Sequence, residues 1–233
     1  MKGLPAAVFA ALALAAVFPA VGGATNECKG IRDCISVPGP WVLIKPGLRT
    51  EYLLSCPNGN GVVAGLDSQA TSSNVRVSFD GQLGAPVSPG VTTTRSALFH
   101  ALTVSSHREA FQPFLGCVRG GGGGGRSTVS ARPAAPKPTP AGAPLDRHAQ
   151  TVVLRPGLVR SASVRCPAGE RLAGSWSALA FRTVKPPGLA QAKDIQLQRV
   201  VVANGKATVT ALATDALSPD ARAVVQVGVE CAA

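Results

Sequence analysis

Short runs in which apolar and polar residues alternate recur along this chain. Near the C-terminus Val225, Val227, Val229 and Cys231 would face one way and Val224, Gln226, Gly228 and Glu230 the other. A period of two reads as a half-buried β-strand that delivers its cysteine to the core. Upstream, residues 195–203 and 206–213 flank Asn204-Gly205, and Ala207, Val209 and Ala211 alternate with Thr208 and Thr210. Asn-Gly between two such runs predicts a tight hairpin. In the first half, residues 41–45 form a short apolar run turned by Pro46-Gly47, after which Thr50, Tyr52, Leu54 and Cys56 share one face of a strand. Residues 74–79, closed by Asp80-Gly81, and the threonine-rich residues 91–104 predict antiparallel neighbours. Phe111, Pro113, Leu115 and Cys117 form the corresponding last strand. Proline brings no N–H to a ladder, so Pro113 would weaken this strand or put it at an edge.

The pattern is written twice. WVLIKPGLRTEYLLSCP, residues 41–57, returns without a gap 110 positions later as TVVLRPGLVRSASVRCP, residues 151–167. Val42, Pro46, Gly47, Leu48, Cys56 and Pro57 recur as Val152, Pro156, Gly157, Leu158, Cys166 and Pro167, and Arg160, Ala162, Val164 and Cys166 share the face matching that of Cys56. After the cysteine turn, Val63-Ala64-Gly65 matches Leu172-Ala173-Gly174. Turn residues, apolar positions and a cysteine recur within this stretch, whereas no histidine or carboxylate does, so the duplication preserves a scaffold and not a site. The expected fold is all-β: two tandem antiparallel β-sandwich modules, residues 25–119 and 148–233. The linker, residues 120–147, holds six glycines and then a proline-rich run, a floppy segment followed by a stiffer one, which predicts modules that move independently.

Residues 1–24 carry one lysine, an apolar run, Pro19 and small residues ending at Ala24, which reads as a secretory signal cleaved after Ala24, with an uncleaved anchor as the alternative. An exported chain sits where disulfides persist, so six cysteines read as bridges. Only Cys56 with Cys117, Cys166 with Cys231 and the remaining Cys28 with Cys34 respects the duplication. Each long loop so closed stabilises by about 4 kcal/mol, a large share of what a small β-domain has. Cys28 and Cys34 lack the second close pair of a zinc site, no Cys-x-x-Cys occurs, and no cofactor is implied.

Charge adds a direction. Lysine and arginine number 23 against 12 acids, a net +11, of which residues 150–233 hold +5 and residues 25–119 only +2. Outside the cytoplasm such a balance favours anionic cell-envelope polymers or glycans as partners, met through the second module. Nucleic acid is a poor partner for an exported chain, and a membrane would be reached only through an uncleaved signal. The oligomeric state is not legible.

Candidate chemistry is sparse. The possible general bases are His100, His107 and His148, with no Gly-x-Ser-x-Gly, no duplicated carboxylate pair and no phosphate loop. No catalytic, metal or cofactor-binding residue is assigned. Of Trp41, Tyr52 and Trp176, the aromatics a sugar could stack on, Tyr52 and Trp176 fall at core positions.

Two resemblances follow from these residues. Pro46-Gly47, Cys56-Pro57-Asn58-Gly59 and Cys117, repeated as Pro156-Gly157, Cys166-Pro167-Ala168-Gly169 and Cys231, make the chain similar to exported actinobacterial repeat proteins. That resemblance implies export and a β-fold only; the triple-glycine segment and Asn-rich hairpin of that group are absent here. The cysteine spacing also resembles the inter-sheet bridge of immunoglobulin domains, and residues 217–221 resemble that fold's corner. Leu115 and Val229 stand where that fold places a tyrosine, and a jelly roll or partly open barrel is the next topology. The function expected is that of an exported non-enzymatic binding or cell-envelope structural protein. A carbohydrate-binding or adhesion module and a secreted hydrolase or inhibitor are the alternatives.

Overall fold

The computed structural model describes residues 25–57, 61–79, 86–88, 91–92, 95–119 and 145–232. The expected signal, most of the expected linker and the Asp80-Gly81 turn lie outside them. Strands of the first copy are β1 (Ile35–Pro38), β2 (Trp41–Ile44), β3 (Thr50–Ser55), β4 (Gly61–Ala70), β5 (Val75–Phe79), β6 (Pro86–Ser88), β7 (Val91–Thr92), β8 (Ser96–Thr103) and β9 (Glu109–Arg119). The second copy has β10 (Asp146–Val153), β11 (Val159–Arg165), β12 (Arg171–Phe181), helix α1 (Leu189–Lys193), β13 (Ile195–Ala203), β14 (Lys206–Ala213) and β15 (Ala223–Ala232). The fold is all-β with antiparallel pairing, and β10 starts two residues ahead of the expected boundary at 148.

Each copy builds the same two layers. One is β3-β8-β5, matched by β11-β14-β13; the other sets β9 between β4 and β1/β2, matched by β15 between β12 and β10. Disulfides Cys56–Cys117 and Cys166–Cys231 cross between the layers, and Cys28–Cys34 closes a small loop ahead of β1. Both duplicated Pro-Gly pairs form turns with Gly47 and Gly157 at φ +69, closed by Leu48 N–H on Lys45 O and Leu158 N–H on Arg155 O. Proline followed by a residue of positive φ is the signature of a type II turn. The matched triplets Val63-Ala64-Gly65 and Leu172-Ala173-Gly174 are a shared β-bulge, with Ala64 and Ala173 as the extra residues.

The halves do not stand apart as the linker composition predicts. β2 lies between β9 and β12, with Val42 opposite Ala180 and Trp41 opposite Phe181, so the two copies form one seven-stranded sheet. Side-chain alternation on these two strands explains the fusion. Trp41 and Leu43 enter the core of the second copy while Val42 and Ile44 enter that of the first; Leu179 and Phe181 return to their own core while Ala178 and Ala180 help to close the first. A strand buried on both faces needs an unbroken apolar run, which WVLI and ALAF supply.

Two strand expectations are corrected by this packing. β15 is not half-buried: Val224, Gln226 and Gly228 are buried along with the inward valines, because the first copy covers that face. Gly228 is required there, since a Cβ would fall 1.9 Å from the Trp176 ring. Pro113 lies inside a central strand and not at an edge. Its carbonyl accepts from Gly39 N–H at 2.7 Å, so its missing N–H faces the break between β1 and β2, and Gln112 Nε2 donates to Gly39 O at 2.8 Å in its place.

Candidate functional site

At the junction β3 runs against the sheet of the second copy. Its Leu53 N–H donates to Gln226 Oε1 at 2.8 Å and its Leu53 O accepts from Gln226 Nε2 at 3.0 Å. Trp176 Nε1 donates to the same Oε1 at 3.1 Å, and Nε2 also reaches Thr151 Oγ1 at 3.2 Å. A buried amide satisfied on both ends fixes one docking geometry, since any other would strand polar groups away from water.

Beside this knot a cleft of ≈ 350 Å³ opens between the copies. Leu43, Ala178, Leu179, Leu197 and Trp176 give it apolar walls, Thr50, Ser175 and Ser177 supply hydroxyls, and Lys45, Arg49 and Arg108 line it as cations. Arg108 Nη1 donates to Ala192 O at 2.7 Å, tying the turn after β8 to α1. Glu51, among the described residues the only carboxylate lining the cleft, contacts Arg49 Nε at 3.0 Å and His100 Nδ1 at 3.1 Å. The hydrogen bond to His100, then the positive charges of His100, Arg49 and Arg147, hold the Glu51 carboxyl below its ordinary value against the opposing effect of burial.

A second surface faces away from the junction. On β14, Ala207, Val209 and Ala211 point into the core, so Lys206, Thr208 and Thr210 point out, beside Arg165, Ser163 and Ser161 of β11 and Arg199 of β13. Ser161 and Thr210 hydroxyls meet at 3.1 Å. Of the cations on these strands Arg165, Arg199 and Lys206 lie on this outer face, whereas Arg160, opposite Ala211, has the core-facing phase; the three strands carry no carboxylate. The matching outer face of the first copy is partly covered instead: its Leu53 and Leu98 pack on Trp176 and its His100 is buried, while Arg76, Ser78 and Leu102 stay exposed.

The residues singled out in the sequence are scattered. Cys28, Cys34, Cys56, Cys117, Cys166 and Cys231 are all in disulfides. His100 lies on β8, His107 is exposed in the turn after it, and His148 is on β10. Ser78 stands opposite His100 on β5, but Nδ1 of that ring is engaged by both Arg49 and Glu51, and among the described residues no hydrogen bond joins Ser78 to it. His148, Glu170 and Cys231 place ligand atoms within 4.8 Å of one another, yet the Cys231 sulfur is bonded to Cys166 and offers no thiolate to a metal. Trp41, Tyr52 and Trp176 are all buried, so none presents an open stacking face. Among the described residues no helix is long and apolar enough to cross a membrane.

Sequence reasoning missed the cleft, whose lining comes from both copies and from segments more than 100 residues apart. Its one available signal was the basic position after the first apolar run, Lys45, retained as Arg155. No protein-family model, no curated protein and no solved structure matches this chain.

Proposed function

We infer that this is an exported, non-enzymatic binding protein of the cell envelope, built from two fused immunoglobulin-like sandwiches, whose second copy contacts anionic polymers through the outer face of β11-β14-β13. The observation that carries this reading is the charge of that face: Arg165, Arg199 and Lys206, no carboxylate on the three strands, and hydroxyls between the cations on a face left open among the described residues. Charges of one sign on an open surface attract a polyanion by many contacts, each worth about 1 kcal/mol or less and each screened by salt. Serine and threonine add hydrogen-bond donors for phosphate or carboxylate oxygens. Three disulfides and the composition of residues 1–24 support the extracytoplasmic setting, where such polymers lie. The disulfides joining the layers at the end of the second strand and within the last support the immunoglobulin-like reading.

The experiment is retention of the purified protein on poly(glycerol phosphate) and on neutral dextran at rising sodium chloride. Expected is binding to the polyanion alone, lost between about 0.1 and 1 M salt as the screening length falls from about 10 to 3 Å, and abolished in the Arg165→Glu, Arg199→Glu, Lys206→Glu variant. Retention that survives high salt or the triple reversal contradicts the reading.

A further inference from the structure

We propose that the cleft between the copies is a binding site for a small amphipathic carboxylate, an acyl-chain-like anion of about a dozen non-hydrogen atoms. The site is separate from the polymer-binding face and shares no residue with it. Its ≈ 350 Å³ lies near the lower end of the range of about 300–1,000 Å³ usual for small-molecule sites, and at about 30 Å³ per water-sized group it accommodates a body of that size.

The chemistry of the lining selects the class. Leu43, Ala178, Leu179 and Leu197 with the Trp176 ring offer the interior no hydrogen bond, so water there is poorly satisfied and an apolar tail displaces it favourably. The polar groups are Lys45, Arg49, Arg108 and three hydroxyls, all suited to an anion's oxygens. Three cations face one carboxylate, and that carboxylate, Glu51, is already occupied by Arg49 and His100. Lys45 is exposed and has no acidic partner among the described residues. Arg108 is held at the cleft by its bond to Ala192 O, which uses one of its donors and leaves the rest. The Arg49 side chain remains 62 % exposed at the cleft, anchored by Glu51 and His100. Apolar walls lower the local dielectric and strengthen each of these contacts relative to open water. The junction places them together: the cations come from the first copy, the floor largely from β12 and β13 of the second.

The full chain is titrated with decanoate at low ionic strength, with tryptophan emission and calorimetric stoichiometry as readouts, beside decanol as the neutral counterpart and acetate as the head without a tail. Expected is one saturable decanoate site that perturbs Trp176 emission, decanol at least about tenfold weaker, and no acetate binding. Lys45→Glu lies on the surface and should leave the melting temperature unchanged while weakening decanoate about tenfold and leaving decanol unaffected. Arg199→Glu, on the polymer face, should change neither, so failure here and failure of the polymer reading are told apart. Decanol binding as tightly as decanoate, an unaffected Lys45→Glu variant, or no saturable binding up to the solubility limit overturns the proposal.

Discussion

Gln226 shows how much a single side chain decides when its whole hydrogen-bonding capacity is used across an interface. Replacing it with leucine keeps roughly the same volume but strands Leu53 N–H, Leu53 O and Trp176 Nε1, each a buried polar group costing about 1–3 kcal/mol when unpaired. A loss of about 3 kcal/mol or more in urea unfolding is expected; a loss under about 0.5 kcal/mol would mean the junction does not depend on this amide. Glu51 makes a second test at this scale. Its folded pKa is depressed, so its contribution is present above the ordinary value of 4.5 and is lost as pH falls through the lower folded value. Wild type should therefore lose stability on acidification below about pH 4.5 more steeply than Glu51→Gln, the two curves converging at low pH; parallel curves would contradict the Arg49–Glu51–His100 cluster. Neither residue was legible beforehand. Gln226 sits at the outward phase of an alternating strand, where polarity ordinarily means solvent, and its partner is 173 positions away.

Elements governed by local rules were read well and those governed by partners were not. The β13–β14 hairpin, the two Pro-Gly turns and the inward cysteines follow from residues within a few positions of one another, so their sequence suffices. β2 was recognisable as an apolar strand, but a run apolar on every position does not say what lies on either face. The edge position considered for Pro113 fails because its compensation involves a segment more than 70 positions away: the chain breaks at Gly39-Pro40, and the Gln112 amide next to Pro113 reaches across to Gly39 O. That compensation is testable: Gln112→Leu leaves Gly39 O without its donor and should cost about 1–2 kcal/mol, measured by denaturant unfolding. No measurable cost would mean that water replaces the side chain.

Across the whole molecule, duplication has produced two unequal copies. In the second, the strand that meets its neighbour ends Ala178-Leu179-Ala180-Phe181; by the matched bulges, the first copy has Gln69-Ala70-Thr71-Ser72 at the same place. A further copy docking on β4 as β2 docks on β12 would have to bury Gln69 and Thr71, which opposes growth of the sheet beyond two. Sedimentation at micromolar concentration should show a monomer, and a concentration-dependent series of larger species would contradict this. Among the described residues the same divergence leaves one outer layer open and basic while its counterpart is covered along β3 and part of β8, so both candidate surfaces are consequences of the fusion. The fusion itself is most directly tested by calorimetric unfolding of the full chain and of its Ile195→Val variant. Ile195 is fully buried in the core of the second copy, and its truncation should cost about 1 kcal/mol. A shared sheet and interlocked cores require one transition whose calorimetric and van't Hoff enthalpies agree, moved as a whole by about 2–4 °C in the variant. Two transitions, of which Ile195→Val moves only one, would show that the halves fold as separate bodies.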